Sequence, residues 1–147
     1  MLANDVRHMA SRFDLDPTLA SASLAAALTD LRVTPDRYVP VRYAGASGDF
    51  NPIHLDTEFA LSVGFPGPIL HGLWTMAQVA RAHIGPEGDP TRLKRLSVAF
   101  RRVAVPEREI VVRTTVRETT ANRAMLDTVV HQAGTRVIGK AQAEVTL

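Results

Sequence analysis

An α+β fold built around one antiparallel sheet is predicted by three observations on this 147-residue sequence. Apolar residues recur at helical spacing as far as Ile84, then at a spacing of two from Leu96 onward. The connections between the period-two segments are short and hold Pro106, Asn122 and Gly134. Helices first and strands after, around one sheet, is the pattern of a two-layer α+β domain.

Taken in order, residues 19–31 are alanine-rich, with Leu24, Leu28 and Leu31 at helical spacing and Asp16-Pro17 suited to a helix start, so an N-terminal helix is predicted there. Residues 33–43 hold two prolines among alternating apolar residues and read as extended, with Pro40 blocking any helix interior up to that point. Residues 43–46 form one or two helical turns. Residues 48–56 are rich in Gly, Asp, Asn and Pro and read as loop, and 57–63 as a short helix with Asp56 as N-cap. Gly64, Pro66, Gly67 and Pro68 end it. Residues 69–84 place Leu70, Leu73, Trp74, Ala77, Ala80 and Ile84 on one helical face, which makes Trp74, Met76 and Val79 core residues, and Gly85-Pro86 stops the helix. After a loop at 87–91, four strands follow: Leu96, Val98 and Phe100; Ile110, Val112, Thr114 and Val116; Leu126, Thr128 and Val130; then 137–145. Their short connections predict an antiparallel meander.

The bulk composition narrows the function classes. Hydrophobic residues at 46% and charged residues at 22% fit one globular domain and disfavour disorder. The chain is short for an enzyme that encloses a long substrate, which favours help from a second copy. No cysteine is present, so disulfides, a thiolate nucleophile and cysteine-ligated zinc are excluded. Residues 1–16 mix charge and apolar residues without a signal-like apolar run, and no segment has the roughly 18 apolar residues of a membrane span, so a cytoplasmic location is expected. The formal charge is +2, and 15 of the 17 basic residues are arginine. Arg92, Lys94, Arg95, Arg101 and Arg102 cluster about the first strand of the meander. They read first as a solvated face, and second as a contact for carrier phosphates or an acidic carrier protein. Nucleic acid is disfavoured, because aromatic residues are only 5% and none interleaves the cluster in the manner of a stacking platform.

One constellation carries chemistry. Asp49 and His54 lie five residues apart in the turn-rich segment 48–56, with Asn51-Pro52 between them. Pro52 fixes one backbone angle and biases Asn51 toward an extended conformation, so the loop is stiff and preorganises two proton-transfer groups around one water. Taken singly, Asp49 also reads as an Asx-turn residue and His54 as a satisfied loop histidine. His71 reads first as a histidine bonded to a backbone carbonyl. Gly72, in the first turn of the long helix, reads either as a close-packing glycine or as an N-H free to receive a carbonyl oxygen gaining charge.

The segment Tyr43-Ala44-Gly45-Ala46-Ser47-Gly48-Asp49-Phe50-Asn51-Pro52-Ile53-His54-Leu55-Asp56, followed by Phe59-Ala60, Gly64-Phe65 and Pro68-Ile69-Leu70-His71-Gly72, resembles the MaoC-like (R)-specific hydratases and dehydratases. The motif covers residues 40–84, and the strand-rich remainder is compatible with the family's ending. The resemblance implies a hotdog fold, a curved antiparallel sheet wrapped around a long central helix, in residues 37–147, with residues 1–36 as a helical extension. It implies that Asp49 and His54 are the catalytic pair and that Gly72 gives its backbone N-H to a thioester carbonyl, with Ser47, Asn51, Pro52 and His71 supporting them. Two departures stand out: a proline-broken segment precedes the Tyr-Ala turn where the family has its first strand, and residues 105–109 lack the glycine common at that turn.

The implied activity is a hydro-lyase that interconverts trans-2-enoyl and (3R)-3-hydroxyacyl thioesters of coenzyme A or acyl carrier protein. No metal or redox cofactor is expected, and the chain is expected to pair as a homodimer or with a related hotdog subunit. Two alternatives stand beside it: a non-catalytic or half-active subunit that needs a related chain, and an acyl-CoA thioesterase.

Overall fold

A computed structural model describes residues 29–85 and 88–147. Strand β1, Leu31–Val33, is followed by helix α1, Val39–Ser47, a 3-10 turn at Pro52–His54 and helix α2, Thr57–Ser62. Helix α3 spans Gly72–Ile84, and strands β2, Leu93–Phe100, β3, Ile110–Thr119, β4, Arg123–Gln132, and β5, Thr135–Thr146, complete the chain. The five strands form one antiparallel sheet in the order β1-β3-β4-β5-β2.

Local chemistry accounts for the helix ends. Asp56 caps α2 by accepting the N-H of Phe59 at 2.9 Å, as expected from its sequence position. Gly48 ends α1 with a left-handed φ of 78° and donates its N-H to Ala44 O at 2.8 Å. Three expectations need correction. Pro40 does not hold off a helix: it occupies the first turn of α1, where its missing N-H costs nothing, so the helix begins at Val39 within the segment read as extended. Helix α3 starts at Gly72 rather than at Ile69, because Ile69 N bonds Ile53 O at 3.1 Å and Leu70 N bonds Ala104 O at 2.8 Å, which hold the lead-in extended. The four long strands are present, but only β3, β4 and β5 form a meander; β2 pairs with β5 at the far edge.

The N-terminal helix predicted at 19–31 lies outside the described residues up to 28; at its end, Leu31 is a strand residue paired with Val112. Strand β1 therefore joins the sheet ahead of residue 37. Arg113 pairs with Asp30 at 2.9 Å and Arg32 with Glu109 at 2.7 Å on either side of that short ladder. The 105–109 connection, noted for its lack of glycine, places Glu107 in the left-handed region with φ 61°, a conformation that costs a non-glycine residue about 1–2 kcal/mol. Gln132, buried, clamps this connection. Its Nε2 donates to Val105 O at 2.9 Å and Arg108 O at 3.0 Å, and its Oε1 accepts from Val105 N at 2.8 Å.

Helix α3 lies against the concave face of the sheet, with Val79 and Ala82 packed on Ile110, Val112, Val130, Ile138 and Ala141. Each valine or isoleucine among them contributes about 1.5–3 kcal/mol on full burial. Val79 is core as expected, and Trp74 packs partly buried against the same cluster. A chain of polar side chains lies beside it. His83 is buried, its Nε2 lies 2.8 Å from Thr128 Oγ1, and Thr128 in turn lies 3.0 Å from Thr114 Oγ1.

Burial pulls the His83 pKa down from 6.5 to about 4, so the folded chain keeps it neutral where the unfolded chain protonates it. Between those two values the unfolded state binds more protons, and stability therefore falls as the pH drops from about 6.5 toward 4. At 1.36 kcal/mol per pKa unit the loss is of order 3 kcal/mol. Urea unfolding at pH 7, 5.5 and 4.5 measures it, and His83→Gln is expected to remove most of that slope. An unchanged slope in the variant would show that other groups control acid unfolding.

Candidate active site

The turn-rich loop between α1 and α2 is held by its own side chains. Ser47 Oγ donates to Tyr43 O at 2.7 Å and accepts Asp49 N at 3.2 Å. Asp49 Oδ1 accepts Asn51 N at 3.3 Å, and Asn51 Oδ1 accepts Ile53 N at 3.2 Å, capping the 3-10 turn that Pro52 begins. Ser47, Asn51 and Pro52 therefore shape the loop, with Ser47 Oγ and Asn51 Oδ1 engaged locally.

That shape brings the predicted pair together. His54 Nε2 lies 3.8 Å from Asp49 Oδ2, and the two differ in exposure: the His54 side chain is 8% exposed and that of Asp49 52%. His54 Nδ1 lies 2.8 Å from Ile69 O. A carbonyl oxygen only accepts, so Nδ1 carries the hydrogen and Nε2 of the neutral ring offers its lone pair toward Asp49. Two acceptors 3.8 Å apart are beyond direct hydrogen-bond range. A water that donates one hydrogen to each satisfies both.

His71 touches both members of the pair. Its Nε2 donates to the Asp49 main-chain oxygen at 2.9 Å, and its ring stacks on that of His54 with centroids 3.7 Å apart and an interplanar angle of 22°. The Tyr43 ring lies 4.8 Å from it, tilted by 49°. His71 is 2% exposed, and its Nδ1 is buried without a hydrogen-bond partner. The sequence reading of a histidine bonded to a backbone carbonyl thus describes the observed contact, but that carbonyl belongs to Asp49.

Asp49, His54 and His71 offer donor atoms that all lie within 4.8 Å of one another. A zinc-type site needs in-plane lone pairs converging on one point at about 2.0–2.1 Å. One nitrogen of each ring is committed to a carbonyl, which leaves His54 Nε2, His71 Nδ1 and the Asp49 carboxylate as the atoms such a site would use.

Gly72 is the first residue of α3, and the first helical bond runs from Thr75 N to His71 O at 3.2 Å. The N-H groups of Gly72, Leu73 and Trp74 precede that bond and have no intrahelical acceptor, with the positive end of a 13-residue helix behind them. A cavity of ≈ 310 Å³ joins His54 to Gly72 and Thr75 and is walled opposite by residues 100–104. A Cβ at Gly72 would come 3.3 Å from the Phe100 ring, so the glycine also permits a close approach of helix and strand. The close-packing reading of Gly72 describes its surroundings.

Tyr43, Thr75, Phe100 and the Ile69 carbonyl were not identified from the sequence. Thr75 sits one turn after His71 on the same helix face, a signal that periodicity could have supplied; Phe100 and Ile69 reach the site only through tertiary contact. The basic cluster divides. Arg92 donates Nε to Thr146 O at 2.9 Å, Lys94 and Arg95 are exposed on β2, and Arg101 and Arg102 line the cavity. No helix among the described residues is long and apolar enough to cross a membrane.

The MaoC like domain family model matches residues 24–140. The peroxisomal enoyl-CoA hydratase 2 of Arabidopsis thaliana is 45% identical over 67 residues, which cover 44% of this chain and 22% of that enzyme's length. The structure described as an (R)-hydratase from A. caviae involved in PHA biosynthesis superposes with a TM-score of 0.71 at 25% identity, covering 81% of this chain and 92% of that one. A chain of the ChsH1-ChsH2 complex from Mycobacterium tuberculosis shares the fold, with a TM-score of 0.71 at 18% identity over 82% of this chain and 94% of that one.

Proposed function

We propose, from the premise that this chain belongs to the MaoC-like domain family and has its hotdog fold, that it is a hydro-lyase interconverting trans-2-enoyl and (3R)-3-hydroxyacyl thioesters. The single observation that carries the reading is the pairing of two proton acceptors, Asp49 Oδ2 and His54 Nε2, 3.8 Å apart beside a cavity that also holds the Gly72 end of α3. In the hydration direction a water held by Asp49 and His54 adds through its oxygen to C3. Its O-H bond breaks, the proton passes to the couple, and C2 takes a proton back from it. The couple ends the cycle as it began. The charge that develops on the thioester oxygen in between falls to the Gly72 N-H. Addition of water transfers no net electrons, so the proposal assigns no redox cofactor, and the carrier is coenzyme A or the arm of an acyl carrier protein.

The test is direct. Purified protein mixed with trans-2-enoyl thioesters from crotonyl-CoA to longer chains is expected to bleach the conjugated thioester absorbance and to yield the (3R)-hydroxyacyl product. Absence of hydration at every length, together with release of free thiol, would replace this reading by that of a thioesterase.

A second reading has its own observation. Leu73, Phe100 and Val103, beside the cavity, are 61%, 47% and 40% exposed in the single chain, an apolar rim suited to a partner chain. With the ChsH1-ChsH2 complex among the fold's neighbours, that partner is either a second copy or a related hotdog subunit. Activity in a homodimer favours the first, and an inactive chain that gains activity only in mixed dimers favours the second.

A further inference from the structure

We propose that His71 is a positioning residue that sets the spacing of Asp49 and His54, an assignment that rests on the hydro-lyase reading. One ring makes two separable contacts with the pair. Its Nε2 donates to the Asp49 main-chain oxygen at 2.9 Å, and its face stacks on the His54 ring with centroids 3.7 Å apart. His71, 2% exposed, is not among the residues that line the cavity. A carbonyl only accepts, so the hydrogen of the neutral ring sits on Nε2 and is committed to Asp49, while Nδ1 is buried without a partner. The ring has no hydrogen to give to a substrate and acts through its two neighbours.

Asp49 has little else to fix it. Its side chain is 52% exposed, and its other hydrogen bonds run to Ser47 and Asn51, two residues away on either side. Those bonds shape the turn but move with it. The His71 bond spans 22 residues and ties the turn to the N-cap of α3, a helix that packs on the core through Val79 and Ala82. His54 has an anchor of its own in the Ile69 carbonyl at 2.8 Å. One hydrogen bond at one ring nitrogen still lets the ring swing about that bond, and the stacked face of His71 blocks the swing.

The orphaned Nδ1 points the same way. A phenyl ring or a leucine of similar size would fill this space without leaving a buried lone pair unsatisfied, so packing alone does not account for an imidazole here. What the imidazole adds is the Nε2 hydrogen directed at the Asp49 oxygen. Misplacement of one reacting group by about 1 Å costs about 10²-fold in rate, so a residue that only holds position controls a large factor.

Three substitutions separate the contacts: His71→Leu removes both, His71→Phe keeps a ring against His54, and His71→Gln keeps a donor of similar reach. Each is assayed for crotonyl-CoA hydration alone and combined with Asp49→Asn, with thermal unfolding as the check on folding. His71→Leu is expected to lower kcat about 10²-fold with KM within about threefold of wild type, and Phe and Gln each to recover part of that loss. In the Asp49→Asn background the same substitutions are expected to change kcat by less than about threefold, because the couple they would misplace is already broken. A residue that merely supports the fold lowers kcat equally in both backgrounds, so equal losses overturn the inference, as does wild-type kcat in His71→Leu. Should His71→Leu fail to fold, Phe and Gln carry the same comparison. NMR gives a readout independent of turnover. The ring-current shift on the His54 ring protons is expected to persist in His71→Phe and vanish in His71→Gln, while amide exchange at Asp49 and Asn51 speeds up in His71→Phe and not in His71→Gln. Unchanged His54 signals and unchanged exchange in every variant would also overturn the inference. Wild-type protein that hydrates no enoyl thioester sinks the hydro-lyase reading instead, and the NMR comparison then decides whether His71 fixes the pair.

Discussion

Asp49→Asn is expected to lower kcat for hydration of crotonyl-CoA by about 10²–10⁴-fold with a much smaller change in KM. The asparagine has the size and shape of the original side chain and can still accept the Asn51 N-H, so the loop keeps its geometry. What changes is the atom facing His54 Nε2: a carboxylate that accepts a proton becomes an amide that does not. His54→Ala is expected to cost a similar factor in kcat and also about 1 kcal/mol of stability, because the Ile69 carbonyl loses its donor. Both groups act on one water, so their losses should not add, and the double variant is expected to be little slower than the worse single one. Stopped-flow absorbance of the conjugated thioester measures all three. A single variant that retains wild-type turnover, or a double variant whose loss equals the product of the two, would sink the shared-water arrangement.

The second large effect isolates one backbone hydrogen. Gly72→Pro is expected to reduce kcat about 10²–10³-fold, the range seen when one donor to a developing oxyanion is removed. Proline is favoured at the first helical position, and His71, with φ −61° and ψ 134°, already has the extended conformation that a following proline demands. The substitution therefore deletes the N-H at little cost to α3. Gly72→Ala is the control, since it keeps the N-H. Its Cβ would come 3.3 Å from the Phe100 ring, which must yield by a few tenths of an ångström, and the expected result is a rise in KM with kcat within about tenfold of wild type. Equal losses of kcat in the two variants would mean that bulk at this position, rather than the hydrogen, controls turnover.

Much of the fold was legible because its signals are local. The period change near residue 92 and the Asp56 cap each depend on residues close together in the chain, and each appears where the sequence places it. The misreadings involve competition between local preference and distant partners. Pro40 is helix-breaking in an interior but harmless at a first turn, and only the position of Val39 against the core decides which applies. Ile69 and Leu70 carry helical apolar spacing yet stay extended because Ile53 O and Ala104 O claim their N-H groups. For β2, the strand itself was legible, but its partner was not, since pairing with β5 requires the chain to cross from one edge of the sheet toward the other.

The candidate site divides in the same way. Sequence alone determined that a carboxylate and an imidazole sit across a stiff Asn-Pro turn and that a glycine lies in the first turn of the central helix, because turn chemistry and helix-start chemistry act over a handful of residues. Only the tertiary structure decided that the Ile69 carbonyl sets the His54 tautomer, that His71 holds the Asp49 backbone while stacking on His54, and that Arg101 rests on Gly139. Those contacts join segments 15, 22 and 38 residues apart, and no spacing rule along a chain specifies which distant atoms packing will bring within hydrogen-bond or van der Waals reach.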